Sequence, residues 1–152
     1  MNLTSFARPA LLRRAKKIDR YFTHAEEIQR AVLARLIKNA AKTEWGQKYG
    51  YADLKSYEDF AAAVPLNDYE TLKEPIDRMR HGEKDVLCKG RVKWYAKSSG
   101  TTNDKSKFIP VSKAYLKDTH YKGGADVVAL YLRNNPKSRI FDGRALILGG
   151  SH

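Results

Sequence analysis

The spacing of apolar residues changes near Gly82, and this change limits the folds open to the chain. Up to residue 82, apolar side chains recur every three or four positions, which is the period of an α-helix. After residue 82 come short runs rich in Val, Trp and Tyr, which favour strands. We therefore predict an α/β fold in which a helical half, residues 1–82, packs on a partly parallel β-sheet.

Capping residues predict where the helices begin. An apolar stripe of Leu11, Ala15, Ile18 and Phe22 predicts a first packed helix. Thr23 with Glu26 matches a capping box and predicts a second helix that ends before Gly46, with its apolar residues in two neighbouring stripes. Those stripes are Ile28, Val32 and Leu36, and beside them Leu33, Ile37 and Ala41.

Two further caps predict shorter helices. Ser56 with Asp59 opens a run that Pro65 ends, and Asp68 opens the segment that contains Tyr69. Pro75 either kinks that last helix or begins a fresh turn that ends at Gly82.

The second half of the chain is predicted to hold strands and one long helix. The strands are expected at 85–88, 92–96 and 107–111, and Ser112 is expected to cap a helix that includes Tyr115, Val127 and Tyr131. The run ALIL at 145–148 is typical of a strand covered on both faces in a parallel sheet. Because such a strand needs neighbours, we expect the chain to be the incomplete N-terminal part of a larger domain and to pack against the remainder of its own chain.

Charge and composition narrow the function classes. Lys and Arg number 29 against 17 for Asp and Glu, which gives a net charge of +12 and favours anionic partners. The basic N-terminus is read as solvated helix faces or as a nucleic-acid-binding arm, and a basic nucleic-acid-binding module without catalytic activity stays the alternative function. A transit peptide is disfavoured because the apolar stripe continues past any cleavage point. No apolar run approaches the roughly 18 residues that would span a membrane.

Residues able to form disulfides or bind metal are few. Cys88 is the only cysteine, so no internal disulfide forms and a reducing compartment, the cytoplasm, is expected. The four histidines are too far apart in sequence for a local metal motif, so no metal site is predicted. Several aromatic residues interleave with lysines, and we interpret them as core and interface aromatics rather than a base-stacking surface. They are Tyr21, Trp45, Tyr49, Tyr51 and Tyr57.

The segment KSSGTTNDKSKFIPVS at 97–112 is a polar loop between two predicted strands. Gly100 allows close approach to an anion, the Ser and Thr hydroxyls can donate hydrogen bonds, and Lys97, Lys105 and Lys107 supply positive charge. These features suit a phosphate loop, although a solvated hairpin loop has the same composition. A Walker A loop is excluded because the glycine before the lysine is missing.

The run SSGTTNDKSKFIPVS at 98–112 resembles the first nucleotide-binding motif of the auxin-responsive acyl-acid amido synthetases and their bacterial relatives. This family is a branch of the firefly-luciferase-like adenylate-forming enzymes. The resemblance extends in the same order to WGQKYG at 45–50, SYEDFAAAVPLNDYETLKEPIDRM at 56–79 and LGGS at 148–151. It implies that residues 1–152 are the N-terminal portion of an adenylate-forming domain, helical over 1–82 and with a βα phosphate-loop region over 83–152.

The resemblance also implies an activity and a set of site residues. An ATP-dependent ligase would activate a carboxylic acid as acyl-AMP and transfer the acyl group to an amine, in this family an amino acid, with Mg²⁺ and ATP. The residues that match the family motif and would contact phosphate are Ser98, Ser99, Gly100, Thr101, Thr102 and Lys107. Where the family has a second glycine this chain has Asn103 and Asp104, so we expect Asp104 to point outward or to pair with Lys105. No catalytic residue is identified, and residues 1–152 alone are expected to be inactive.

Overall fold

A computed structural model describes residues 2–98, 106–144 and 146. Two compact units divide the chain: one combines residues up to His24 with residues from His120 onward, and the other spans Ala25–Thr119. In chain order the elements are α1 (Leu3–Ile18), α2 (Arg20–Thr23), α3 (Ala25–Ala40), α4 (Glu44–Lys48), α5 (Tyr57–Ala63), α6 (Tyr69–Arg80), β1 (Trp94–Lys97), β2 (Phe108–Val111), α7 (Lys113–Tyr115), a π-helical turn (Leu116–His120) and α8 (Tyr121–Asn134).

The first unit is built on the packing of α1 against α8. Ala15 of α1 and both Ala129 and Leu132 of α8 are fully buried, so small and large apolar side chains fill the same interface. Arg14 binds Asp126 through two hydrogen bonds, of which the one between Nη2 and Oδ2 is 2.8 Å long. A bidentate pair fixes the register of the two helices as well as their charge balance.

The start of α1 is tied to the segment after α8. The hydroxyl of the buried Thr4 accepts a hydrogen bond from the backbone N–H of Phe141 at 3.0 Å, and the Thr4 N–H donates to Asp142. The Arg8 guanidinium donates to the backbone carbonyls of Leu132 and Ser138. Polar groups at this end of α1 therefore find partners more than 120 residues away.

The predicted junction between the first two helices is wrong in two respects. α1 ends at Ile18, and Phe22 lies in the separate short helix α2 with 84% of its surface exposed. The hydroxyl of Thr23 donates back to the carbonyl of Arg20, so it closes α2 and no capping box with Glu26 forms. A Thr inside a helical turn commonly bonds to the preceding turn in this way.

The second unit begins with α3, in which one of the two predicted apolar stripes is more buried than the other. Ile37 is buried and Leu33 partly so, whereas Val32 and Leu36 are 40% and 53% exposed. The apolar face of α3 therefore packs mainly along the row of Leu33 and Ile37, and of the other stripe only Ile28 is partly buried.

The caps of α5 and α6 are confirmed. Ser56 and Asp59 each bond the other's backbone N–H, as a capping box requires, and Asp68 accepts from the N–H of Thr71. α6 continues through the buried Pro75 to Arg80. Its end supplies Met79 to a core cluster with Val86 and Val92.

The described strands do not confirm a partly parallel sheet. β1 and β2 pair antiparallel, with Trp94 opposite Val111 and Lys97 opposite Phe108, so the described residues hold no parallel pair. Residues 85–88 do not form a strand. The carbonyls of Asp85 and Val86 accept hydrogen bonds from backbone N–H groups of α4 instead of from a neighbouring strand.

The helix after β2 starts as predicted and is then interrupted. Ser112 accepts from the N–H of Tyr115 and caps α7, but a π-helical turn separates α7 from α8. Asp118 of this turn pairs with Arg35 of α3 at 2.7 Å. Val127, predicted to pack, is 68% exposed, because α8 buries Ala129 and Leu132 instead. Of the predicted strand at 145–148, only Leu146 lies within the described residues.

None of the helices in the described part of the chain combines the length and the apolar composition needed to cross a membrane.

Candidate phosphate-loop site

The loop predicted to bind phosphate does join two strands. β1 ends at Lys97 and β2 begins at Phe108, so the segment between them leaves and re-enters the sheet at one end of the hairpin. Ser98 and Lys107 form the neck of this loop and lie within the described residues. The other predicted contacts, Ser99, Gly100, Thr101 and Thr102, lie outside them, as do Asp104 and Lys105.

Ser98 and Lys107 close the neck with two hydrogen bonds. The Ser98 N–H donates to the Lys107 carbonyl at 2.9 Å, and the Lys107 N–H donates to the Ser98 hydroxyl oxygen at 3.0 Å. A hydroxyl that accepts one bond keeps its own hydrogen for another acceptor. Ser98 can therefore hold the neck shut and still donate to an anion.

Tyr69, the first residue of α6, meets the neck from outside the hairpin. Its hydroxyl accepts a hydrogen bond from the Phe108 N–H at 3.0 Å, and the Lys107 ammonium lies 5.4 Å from the centre of its ring. Sequence reasoning identified Tyr69 only as a helix residue. Nothing in its local pattern shows the contact, because Phe108 is 39 positions away.

A basic cavity of about 650 Å³ lies beside β1 and β2. The Arg80 guanidinium stacks 3.8 Å from the centre of the Phe108 ring, and Arg91 and Lys93 add positive charge to the lining. Burial raises the pKa of Tyr95, which therefore stays neutral there. The field beside the neck thus favours anions.

Arg78 holds the C-terminal end of α6 in place. Its guanidinium binds Glu44 of α4 and Glu83 after α6, and the hydrogen bond from Arg78 lowers the pKa of both carboxyl groups. Because both carboxylates are ionised at neutral pH, the bridge holds α4, in the 45–50 motif, against α6. The helix that carries Tyr69 is therefore fixed at its other end.

Metal-binding side chains do not gather in the described residues: no group of three or more His, Cys, Asp or Glu side chains is arranged to hold an ion. Mg²⁺ bound by one or two carboxylates and substrate phosphates does not need such a group.

Most of the chain matches a protein-family model. The model described as the GH3 family N-terminal domain matches residues 14–150. The chain belongs to the GH3 family. The resemblance drawn from the 45–50, 56–79 and 98–112 motifs is thereby confirmed.

Curated GH3 relatives match about two thirds of this chain. The indole-3-acetic acid-amido synthetase GH3.6 of Arabidopsis thaliana is 30% identical over 100 residues, which cover 65% of this chain and 16% of the relative. The 4-substituted benzoates-glutamate ligase GH3.12 of the same plant is 30% identical over 102 residues, 66% and 18% of the two chains. The jasmonoyl--L-amino acid synthetase JAR6 of Nicotiana attenuata is 27% identical over 96 residues, 62% and 17%.

A solved GH3 structure shares the fold. The GH3.15 acyl acid amido synthetase superposes with a TM-score of 0.69 at 24% identity, over 79% of this chain and 22% of that one. The chain spans about a sixth of the length of the curated GH3 relatives it matches.

Proposed function

We propose that this chain is the N-terminal portion of an ATP-dependent acyl-acid amido synthetase, with residues 1–82 as its helical part and 83–152 as its phosphate-loop region. In this reaction a carboxylate oxygen attacks the α-phosphorus of ATP, the bond from that phosphorus to the bridging oxygen breaks, and pyrophosphate leaves. The nitrogen of an amine, an amino acid in our proposal, then attacks the acyl carbon. AMP leaves and the nitrogen loses a proton.

The observation that carries the proposal is the closed neck of the loop in a chain of this family. Ser98 and Lys107 are held together by two hydrogen bonds beside a basic cavity. A neck fixed in this way can present the Ser98 hydroxyl and the Lys107 ammonium to the β- and γ-phosphates without reorganising as charge builds on pyrophosphate. Ser99, Gly100, Thr101 and Thr102 complete the proposed contacts, and Mg²⁺ would enter with ATP. The names of the relatives support the choice of a carboxylic acid and an amino acid as substrates.

Isotope exchange tests the adenylation step. The complete enzyme, incubated with Mg²⁺, ATP, labelled pyrophosphate and a panel of aryl and alkyl carboxylic acids, should move label into ATP only when a suitable acid is present. Residues 1–152 alone should not, because we propose that the acyl and adenine pockets lie in the rest of the enzyme. Absence of exchange by the complete enzyme with every acid, or exchange by 1–152, would contradict the proposal.

The environment and partners follow from the same proposal. A single cysteine suits a reducing compartment such as the cytoplasm. We propose no nucleic-acid partner, and a salt titration tests this. Binding through phosphate backbones weakens steeply as salt rises, whereas exchange should depend on Mg²⁺ and the acid.

A further inference from the structure

The Phe108 N–H needs a partner that the hairpin does not supply. Successive N–H groups of a strand point to opposite sides, and those of an antiparallel pair alternate between facing the partner strand and facing away. The Lys107 N–H and carbonyl both bond Ser98, so the next N–H, that of Phe108, faces away from β1. The Tyr69 hydroxyl accepts it at 3.0 Å in a partly buried position. Left without a partner there, the N–H would destabilise this end of β2.

The Lys107 side chain depends on the same tyrosine. Its backbone is fixed by Ser98, but its side chain is exposed, and a free lysine samples many rotamers. The ring of Tyr69 lies 5.4 Å from the ammonium, within the range of about 6 Å in which an aromatic face attracts a cation. One side chain therefore restrains both the backbone that follows Lys107 and the direction of its ammonium.

The first turn of α6 holds Tyr69 in place. Asp68 accepts hydrogen bonds at 2.8 Å from both the N–H and the hydroxyl of Thr71, which fixes the turn that begins at Tyr69. At the end of the same helix, Arg80 stacks on the ring of Phe108. The residue that follows Lys107 is thus contacted from both ends of α6.

We propose that Tyr69 is a positioning residue of the phosphate loop, which aims the Lys107 ammonium at the departing pyrophosphate and fixes the neck in which Lys107 lies. This role rests on the proposed function. It assigns to α6, outside the nucleotide motif, part of the preorganisation that phosphate chemistry requires.

Two substitutions separate the two contacts. Tyr69→Phe keeps the ring and removes the acceptor, so the Phe108 amide should exchange with solvent faster while pyrophosphate exchange falls by only about threefold. Tyr69→Leu removes both contacts, and its kcat for pyrophosphate exchange should fall by about tenfold. The KM for the carboxylic acid should be unchanged in both variants. Tyr57→Phe is the matched control, because that tyrosine is 66% exposed on α5, and it should behave as the parent.

A double-mutant cycle distinguishes positioning from a general loss of structure. If Tyr69 acts through Lys107, Tyr69→Leu should cost about tenfold in the parent but less than about twofold in a Lys107→Ala background. An equal loss in both backgrounds, or an unchanged kcat in Tyr69→Leu, would overturn the role. Where Tyr69→Leu fails to fold, Tyr69→Phe decides: an unchanged Phe108 amide exchange rate together with unchanged kcat would overturn it. A parent enzyme with no acid-dependent exchange would instead refute the proposed function, and this role with it.

Discussion

At Gly46 the backbone leaves no room for a side chain. A Cβ built on this residue would lie 2.0 Å from the Ala40 carbonyl oxygen, and the Gly46 N–H donates to the Thr43 hydroxyl at 3.0 Å in a buried position. The glycine of the 45–50 motif is therefore required by the close approach of α3 and α4, independently of any substrate.

Gly46→Ala should destabilise the second unit by about 2 kcal/mol, because the obstructing atom is backbone and cannot rotate away. Urea unfolding followed by circular dichroism measures the change. Gly123→Ala is the matched control: apart from its chain neighbours and the backbone of its own helix, no atom lies within 4 Å of an added Cβ, so alanine should stabilise α8 by up to about 1 kcal/mol. Equal midpoints for Gly46→Ala and the parent would show that the helices do not approach so closely in solution.

Among single substitutions, we expect the largest loss of activity at Lys107. In the complete enzyme, Lys107→Ala should slow pyrophosphate exchange by roughly a hundredfold, or about 3 kcal/mol, because the lost contact strengthens as charge builds on the leaving group. Lys113→Ala removes an equally exposed lysine at the start of α7 and should leave the rate unchanged. The same rate in both variants would refute the phosphate assignment of Lys107.

Among the elements, three of the four predicted helix caps could be recognised from near neighbours, and the capping box at Thr23 is the exception. The caps at Ser56, Asp68 and Ser112 each join groups three residues apart, and all three are confirmed. The strand predicted at 85–88 is wrong because Asp85 has a positive φ of 58°. In addition, the Asp85 carbonyl accepts a hydrogen bond from the N–H of Glu44, 41 positions earlier. No local pattern contains that bond.

In the candidate site, too, the features local in sequence were predictable and the contacts between distant residues were not. A loop between two strands, with Ser98 and Lys107 at its ends, was predictable from composition and motif, because all its residues are adjacent in the chain. The support from Tyr69 was not, since it depends on how α6 packs on β2. The expectation of a partly parallel sheet rests on the apolar run at 145–148, which carries no information on how β1 and β2 pair. Their antiparallel pairing was therefore not predicted.

The Arg14–Asp126 ion pair, which joins α1 to α8, should contribute more to the free energy of unfolding than an exposed ion pair does. The side chains of Arg14 and Asp126 are only 24% and 21% exposed. Removal of one partner therefore leaves the charge of the other unpaired in a partly buried position. Asp126→Ala should lower the free energy of unfolding by about 2 kcal/mol.

Glu26→Ala is the control for that substitution, because it removes a pair with Arg30 in which both side chains are more than three-quarters exposed. Its cost should stay within about 0.5 kcal/mol. Thermal or urea unfolding of the two variants compares them directly, and equal losses would contradict the argument from burial.

For the molecule as a whole, alkaline pH should weaken folding through Cys88. Burial raises the pKa of this thiol, so the folded state binds its proton more tightly than the unfolded state does. The contribution to stability is complete below the unfolded pKa, about 8.5, and is lost as pH rises toward the folded pKa.

Urea unfolding at pH 7.5 and 9.5 tests this dependence. The parent should lose stability with a slope of at most about 1.4 kcal/mol per pH unit from this group, and Cys88→Ala should show a smaller loss over the same interval. An equal loss in the two proteins would assign the alkaline sensitivity to another group, and Tyr95→Phe would then be the next variant to examine, since burial raises the pKa of that phenol as well.

The hydrogen bonds between Thr4 and residues 141 and 142 determine when α1 can pack during synthesis on the ribosome. α1 is synthesised before the other described elements, yet its partner groups emerge more than 130 residues later, which at about 5–20 residues per second is a delay of roughly 7–28 s. Residues 25–119, which form the other unit, are complete well before then. α1 therefore waits for its packing partner while the other unit is completed, and its apolar stripe is open to chaperones throughout the interval.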